Sequence, residues 1–519
     1  MSAKPQGSPP INYGLCEKCR KSVPLSHVIE NGKVYVSKDC PTCGTTRALV
    51  STDAATWQRK REVCRFDPTL DPTCDLNCTT CARQGEHHPR MTFVDVTNRC
   101  NMNCPICIAN IPKMGFTFNP PMSYFEKVFD GLSKAKVVPE VLLFGGEPTV
   151  RQDVFEIITL GQSKGLSIGI VTNGLKLADE EFCRRLCESG ARLLMAFDGR
   201  SPDIYTRLRK DPTAYEKKLK ALANLKKHTK PTRRHTIMCC VGRKINDKYM
   251  RDLIDYCHEN RDFIAKMHLI PLTETWEEGE FETGIATTIE DVEKIIGEAF
   301  PDEPVEFIPL GLGRELADVS RFFGRPDSTF SGVHPNCESI TFLLSDGTRY
   351  RPLSHYLKRP LMDAADEFVG RARAISGKLA KLDPSKPMQR LRGRLLLLRT
   401  FSGPAMRSLN LKTAMRGSRL LGALGIVGGL LTGKSLKQQF RKYTHYGEAM
   451  EMMILPFEEY HSLEGARLCR CKAAFAYEDP DDGGIKTVPV CTWTLIQKDL
   501  ERRIARKYEP AGAEPAPAK

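Results

Sequence analysis

The 519-residue chain has no run of about 18 consecutive apolar residues, the length that a membrane-spanning helix needs. Its start, MSAKPQGSPPINYG, has no apolar h-region, so no secretory signal is expected. Aromatic residues make up only 8% of the chain and Trp occurs three times. Without an export signal, the 20 cysteines do not read as a disulfide scaffold, because thiols stay reduced in the cytosol. Disorder is also excluded: 41% hydrophobic and 27% charged residues describe a globular protein, of roughly three structural units at this length. Two features then need an explanation. The thiols need metals, and the net charge of +14 needs a location.

The cysteines sort by spacing. Cys16-x2-Cys19 and Cys40-x2-Cys43 are two knuckles joined by a β-like stretch that turns at Asn31-Gly32. Four thiolates at this spacing make a closed tetrahedral site for Zn or a single rubredoxin-like Fe. Next come Cys64, Cys74, Cys78 and Cys81, then Cys100, Cys104 and Cys107, and late in the chain Cys337, Cys469, Cys471 and Cys491. The other five, Cys183, Cys187, Cys239, Cys240 and Cys257, lie in apolar helix or strand patterns and read as small buried hydrophobes.

Two stretches share C-x3-C-x2-C: Cys74 to Cys81 and Cys100 to Cys107. Three thiolates on a four-iron cluster leave one iron open to a small molecule, whereas a fourth ligand closes it. The second copy directly follows the alternating strand Met91–Thr97 and has no further cysteine nearby, so it is assigned the open cluster. The first copy has Cys64 upstream as a fourth ligand.

Downstream, strand and helix alternate. Val141–Phe144 ends in Gly145-Gly146-Glu147-Pro148, Leu166–Val171 leads into Thr172-Asn173-Gly174, and Arg192–Phe197 leads into Asp198-Gly199. Further strands are predicted near His235–Val241 and Lys266–Ile270. Six βα units from Met91 predict an α/β fold, a partial (β/α)6 barrel with its chemistry at the C-terminal strand ends.

C-x3-C-x2-C after the first strand and GGEP after the second resemble the radical S-adenosylmethionine (SAM) superfamily over roughly Met91 to Pro271. The resemblance implies that the open iron chelates SAM, with Gly145, Gly146, Glu147 and Pro148 at its amino group. It also implies reductive cleavage to methionine and a 5′-deoxyadenosyl radical that takes hydrogen from an unactivated C–H bond. Glu147 would accept from the ammonium, and Asn173 and Asp198 would meet the ribose or methionine; as turn formers, Asn-Gly and Asp-Gly equally suit a purely structural role. The whole arrangement is similar to the tetraether lipid synthase family, which joins lipid alkyl chain ends through a bond between sp3 carbons. That implies three four-iron clusters and one mononuclear iron, here or zinc. Cys16, Cys19, Cys40 and Cys43 would hold the single metal, Cys64, Cys74, Cys78 and Cys81 one auxiliary cluster, and Cys337, Cys469, Cys471 and Cys491 the other. A flavodoxin- or ferredoxin-like one-electron donor follows as a partner, and a pterin or RNA modification is the alternative reaction.

The charge is local. Between Lys358 and Lys442 there are 19 Lys and Arg against four acidic residues, Asp363, Asp366, Glu367 and Asp383; the rest of the chain holds 58 basic and 59 acidic residues. Within it lie LRGRLLLLRTF and the uncharged LLGALGIVGGLLTG. Basic flanks around short apolar runs suit a segment lying in a membrane interface. Its only aromatics before Tyr443 are Phe368, Phe401 and Phe440, too few for a stacking platform, which argues against nucleic acid. A lipid substrate, a membrane surface as partner and a cytoplasmic location at the inner membrane face are the expectations. A helical insertion packed on the barrel, and a docking surface for a partner helix, remain open.

The expected organisation is a rubredoxin-like or zinc-ribbon-like four-cysteine domain at 1–60, an auxiliary loop at 61–90, the barrel at 91–300, the start of an auxiliary-cluster region at 301–357, the basic insertion at 358–445 and a final cluster segment at 446–519 ending in the Pro/Ala-rich tail AGAEPAPAK. No general acid or base stands out; His87, His88, His235 and His268 are candidates.

Overall fold

The computed structural model describes residues 12–69, 73–74, 76, 88–230, 232–274, 281, 284–323, 333–432, 434, 436–444 and 449–508. Cys78, Cys81, His87 and the tail lie outside these residues.

Strands β1 (Asn12–Leu15), β2 (Ser22–Glu30), β3 (Lys33–Cys40) and β4 (Gly44–Ser51) form an antiparallel sheet in chain order. The β2–β3 turn is Asn31-Gly32 with φ of 50° and 73°, the paired positive values that this dipeptide tolerates best. Helix α1 (Ala54–Val63) follows, its N-terminus capped by Asp53 accepting from the Thr56 amide.

From β5 (Met91–Thr97) the chain alternates. The elements are α2 (Met122–Ser133), β6 (Glu140–Gly145), α3 (Val154–Ser163), β7 (Ser167–Thr172), α4 (Glu180–Ser189), β8 (Arg192–Ala196), α5 (Pro202–Arg209), α6 (Ala214–His228), β9 (His235–Val241), α7 (Met250–Glu259), β10 (Ile264–Pro271) and α8 (Ile289–Glu298). β5 to β10 pair in parallel, each with its successor, as the six expected units. Alternation separates the two faces of each strand. Val94, Val96, Leu143, Met267 and Leu269 pack outward under the helices. Met91, Leu142 and Leu194 meet inside with Phe93, Val171 and Met238. Helix ends follow local chemistry: Asp179 caps α4, which stops at Gly190 with φ 77°, and Thr288 with Asp291 forms a capping box on α8.

The remaining elements are β11 (Ile308–Pro309), α9 (Leu312–Glu315), α10 (Ala317–Ser320), β12 (Ser339–Ser345), β13 (Tyr350–Pro352), α11 (Leu361–Ala380), α12 (Pro387–Ser408), α13 (Leu411–Ala414), α14 (Arg419–Leu431), α15 (Leu436–Tyr443), β14 (Ala449–Ile454), α16 (Gly465–Leu468), β15 (Ala473–Glu478), β16 (Ile485–Pro489) and α17 (Val490–Tyr508). β14 adds in parallel to β10 and β15 adds in parallel to β5. Eight parallel strands therefore run β14-β10-β9-β8-β7-β6-β5-β15, with β12 and β16 antiparallel at the two ends. The C-terminal region grips both edges of the barrel. The basic stretch is helical, from α11 to α15, inserted between β13 and β14.

Candidate active site and metal centres

The Cys100–Cys107 loop leaves the C-terminal end of β5. It turns on itself, the Cys107 amide donating to Cys104 O at 3.3 Å and the Asn110 amide to Cys107 O at 2.9 Å. The GGEP turn packs directly behind it. Gly145, at φ 116°, lies so close to Thr97 O that no side chain fits, and Gly146 is likewise closed by Arg99 O. Glycine is required here because two backbones meet.

Glu147 is not free. It is 1% exposed, and its Oε1 accepts from the Thr149 amide (3.1 Å), the Thr149 hydroxyl (2.6 Å) and the Thr172 hydroxyl (2.7 Å). Its Oε2 accepts from the Asn173 amide at 2.7 Å. Burial pushes the carboxyl up from its ordinary range, and these donors pull it back. This carboxylate, expected to meet an ammonium, ties the end of β6 to that of β7. Within the turn, Gly146 keeps solvent access, while Gly145, Glu147 and Pro148 are buried.

Asn173 is half-buried beside the cysteine loop, its Nδ2 donating to Asn101 Oδ1 at 2.7 Å and lying 3.9 Å from Cys100 Sγ. Asp198 is fully buried and pairs with Arg209 through two bonds of 2.9 and 2.8 Å, while accepting from the Cys240 amide at 3.0 Å. Burial works against its charge, but Arg209 and then Lys218 hold the carboxyl below the usual range. Asp198 is therefore an anchor for Arg209, not an open ribose acceptor. Arg209 faces the thiols of Cys104, Cys107 and Cys240 electrostatically. Sequence reading missed it, since α5 carries no motif. Buried Lys218 donates to Asn173 O and Ala196 O, joining β7 to β8; burial lowers its ammonium to about 8.

An apolar cavity opens next to this loop, lined by Phe93, Ile108, Ala109, Phe144, Phe457, Phe475, Val490, Trp493 and Thr494. Ile108 and Ala109 follow Cys107 directly, and Val490 precedes Cys491. Phe475 stacks on Trp493 at 4.7 Å between centroids and on Phe93 at 5.3 Å. Trp493 Nε1 is engaged by Asp95 Oδ2 at 2.9 Å.

Of the histidine candidates, His268 lies on the inner face of β10 opposite Met238 and Met453, is 4% exposed, and has both ring nitrogens without a partner. Burial, then Lys266 and Arg192, lower it to about 3, so the ring is neutral. His235 bonds the Thr229 hydroxyl at 2.7 Å, and His88 is half-buried.

Cys16, Cys19, Cys40 and Cys43 converge, all four sulfurs lying within 4.8 Å of one another, with Cys19 and Cys40 3.7 Å apart. Four sulfurs about 2.3 Å from one ion stand about 3.8 Å apart in a tetrahedron, so the donor set fits a closed tetrathiolate site. Cys337 and Cys491 are linked through Arg467 and Glu458: Arg467 Nη2 lies 3.7 Å from Cys337 Sγ, its Nη1 3.3 Å from Glu458 Oε1, and the Glu458 backbone amide donates to Cys491 Sγ at 3.3 Å. Cys471 joins them electrostatically, adding with Glu338 to the burial that pushes the Cys337 thiol up. The buried Glu338 beside them has an Oε2 without a hydrogen-bond partner among the described residues. Cys469 lies at the junction with the other group. Its amide and that of Cys74 share one acceptor, Gly465 O, at 3.1 Å each. Cys64 packs with Val63, Leu312 and Val369, and Cys74 belongs to the main core cluster. Of the five cysteines left over, Cys183, Cys239 and Cys257 are buried as expected.

Residues 94–257 match the model of the Radical SAM superfamily, and residues 13–52 that of the HMPTM N-terminal zinc ribbon domain. The fold and the cysteine loop thus mark a radical SAM domain at 94–257, fronted by a zinc-ribbon domain at 13–52. Over 515 residues, covering 95% of each chain, the protein is 24% identical to the 7,8-dihydro-6-hydroxymethylpterin dimethyltransferase of Methanocaldococcus jannaschii. It is also 31% identical over 143 residues to the AdoMet-dependent heme synthase of Methanosarcina barkeri, covering 27% of this chain and 40% of that one. Among solved structures, native anSMEcpe with bound AdoMet and Cp18Cys peptide aligns with TM-score 0.33 and 22% identity, over 41% of this chain and 59% of that one.

Proposed function

We propose that this radical SAM enzyme takes hydrogen from saturated alkyl chain ends and joins two of them through a new carbon–carbon bond. When bound, a four-iron cluster on Cys100, Cys104 and Cys107 supplies the electron that converts SAM to methionine and a 5′-deoxyadenosyl radical. A reduced flavodoxin- or ferredoxin-like donor delivers that electron. Further clusters would use Cys337, Cys471 and Cys491, and Cys74 with its neighbours.

The observation that carries the reading is the apolar lining beside the Cys107 loop and Cys491, around a cavity of about 20 Å³ that has to widen to admit a chain end. Of its nine lining residues only Thr494 brings a polar side chain beyond the Trp493 Nε1 already bonded to Asp95. A saturated chain leaves nothing unpaired there, whereas each unmatched polar group of a heterocycle costs about 1–3 kcal/mol. Around the cavity, the chain's own residues orient and exclude water. Glu147 and Lys218 lock the strand ends, Asn173 and Asn101 hold the cysteine loop, and the Phe475–Trp493 stack walls the cavity off.

The reaction balances when two C–H bonds break, both hydrogens leave on 5′-deoxyadenosine, and the two carbon radicals pair. Two SAM molecules and two electrons are consumed per bond. Methylation of a reduced pterin is the second reading, favoured by the similarity that spans 95% of the chain. It would convert part of the SAM to S-adenosylhomocysteine. Anaerobic incubation of iron-loaded protein with dithionite and SAM, with either an isoprenoid diether lipid or a reduced hydroxymethylpterin, separates them by mass spectrometry. Lipid-stimulated 5′-deoxyadenosine without S-adenosylhomocysteine supports coupling. Pterin-stimulated S-adenosylhomocysteine refutes it.

A further inference from the structure

Two helices of the basic insertion, α12 and α14, present large apolar residues to solvent. Of the ten large hydrophobic residues exposed among those described, eight lie here: Met388, Leu391, Leu395 and Met406 on α12, and Leu420, Leu421, Leu424 and Val427 on α14. Leu420 is 70% exposed and Met388 66%. The packing faces carry small residues instead. Gly422 of α14 closes on Met415, Gly425 on the Tyr443 ring and Gly429 on Gln439. A leucine at these glycine positions would collide with its neighbours, and Leu420, Leu421 and Leu424 lie on the outer side. On α12, Gly393 closes on the Phe322 ring and Leu397 is buried with Ile375 and Leu379, which leaves Leu391 and Leu395 outside.

The charge around these stripes has one sign. All four acidic residues of the insertion are engaged internally. Asp363 and Asp366 pair with Arg59 at 3.2 Å each, Asp366 also pairs with Arg65, and Glu367 pairs with Arg359, Arg371 and Arg407. Asp383 accepts from Ser385 at 2.7 and 2.9 Å. Arg390, Arg392, Arg399 and Arg419 are exposed, and no carboxylate of the described residues pairs with them.

We infer that the α12–α14 face docks on an anionic lipid surface, with the leucines and methionines entering the interface and the arginines meeting phosphate and carboxylate headgroups. Apolar residues flanked by cations are what such a surface selects, since apolar burial and charge attraction add. Among the described residues no helix is long and apolar enough to cross a membrane, so the contact is peripheral. A second copy of the chain fits poorly, because it would face one cationic patch with another. A single nucleic-acid strand would ask for stacking aromatics, which the exposed stripes lack. The inference does not depend on the substrate, and its test runs without SAM.

The test is flotation of the iron-loaded full chain with phosphatidylcholine vesicles carrying about one-third phosphatidylserine, against pure phosphatidylcholine. Wild-type protein floats with the anionic vesicles and is released by high salt. The variant R390E/R392E/R399E loses that binding by on the order of a hundredfold. The variant L391S/L395S/L420S/L424S loses it too, with circular dichroism and iron content unchanged; if it fails to fold, the arginine variant, altered only at exposed positions, still decides. Wild-type protein that stays with the lipid-free fraction overturns the inference. So does a leucine variant that floats like wild type, a wild-type dimer in light scattering that the leucine variant dissolves, or capture of a poly-dT oligonucleotide that the arginine variant alone loses.

Discussion

The barrel rim and the helical insertion treat charge in opposite ways. At the rim, Asp198 is matched to Arg209, Glu147 to four donors, and Lys218 to two carbonyls. In the insertion, four carboxylates are engaged and a row of arginines is left over. Apolar residues follow suit: the rim encloses its aromatics, whereas α14 packs on glycines and shows Leu420, Leu421 and Leu424. A satisfied network fixes one geometry, and unsatisfied groups mark a surface that meets something else.

The largest effect expected comes from the rim. Cys104→Ser removes a thiolate and should abolish SAM cleavage, read as loss of reductant-dependent 5′-deoxyadenosine and of the visible absorbance of one cluster. Arg209→Ala leaves Asp198 buried without its paired guanidinium, with only the more distant charge of Lys218, and should cost about 3 kcal/mol in chemical denaturation; a loss below about 1 kcal/mol would show that the rim is not a closed network. His268 is next. Its folded pKa is depressed, so below the unfolded value near 6.5 the unfolded chain takes up a proton that the folded chain refuses. Stability should fall by about 1.4 kcal/mol per pH unit between about 6.5 and 3, and His268→Met should flatten that limb. The smallest effect belongs to the insertion. Leu420→Ser and Leu424→Ser should each change stability by no more than about 0.5 kcal/mol, while lipid binding falls. A large destabilisation would mean that the stripe is packed after all.

What the sequence revealed was local. C-x3-C-x2-C after an alternating strand, GGEP after the next, and Asn-Gly between the knuckles are spacings of a few residues, and the parallel barrel followed from them. Arg209 was illegible because its partner, Asp198, is met only when α5 folds back over the strand end. The structural bonds of Glu147 were illegible for a related reason: Thr172 and Asn173, which donate to it, lie 25 and 26 residues on. β14 and β15 were missed as barrel strands, since each pairs with a strand far away in sequence. In α14 the leucines were read as the feature, but the glycines between them choose the packing face.

Those two late strands carry a consequence for how the enzyme is made. While a ribosome is still extending the chain, β5 and β10 stand as bare edges of a parallel sheet, each ready to pair with the wrong partner. β15 covers β5 only once residues 473–478 have emerged. Until then the Cys107 side of the cavity lacks its Phe475 and Trp493 wall. The interval between synthesis of the cysteine loop and closure by the C-terminal segment is a window in which iron and sulfide can reach the loop.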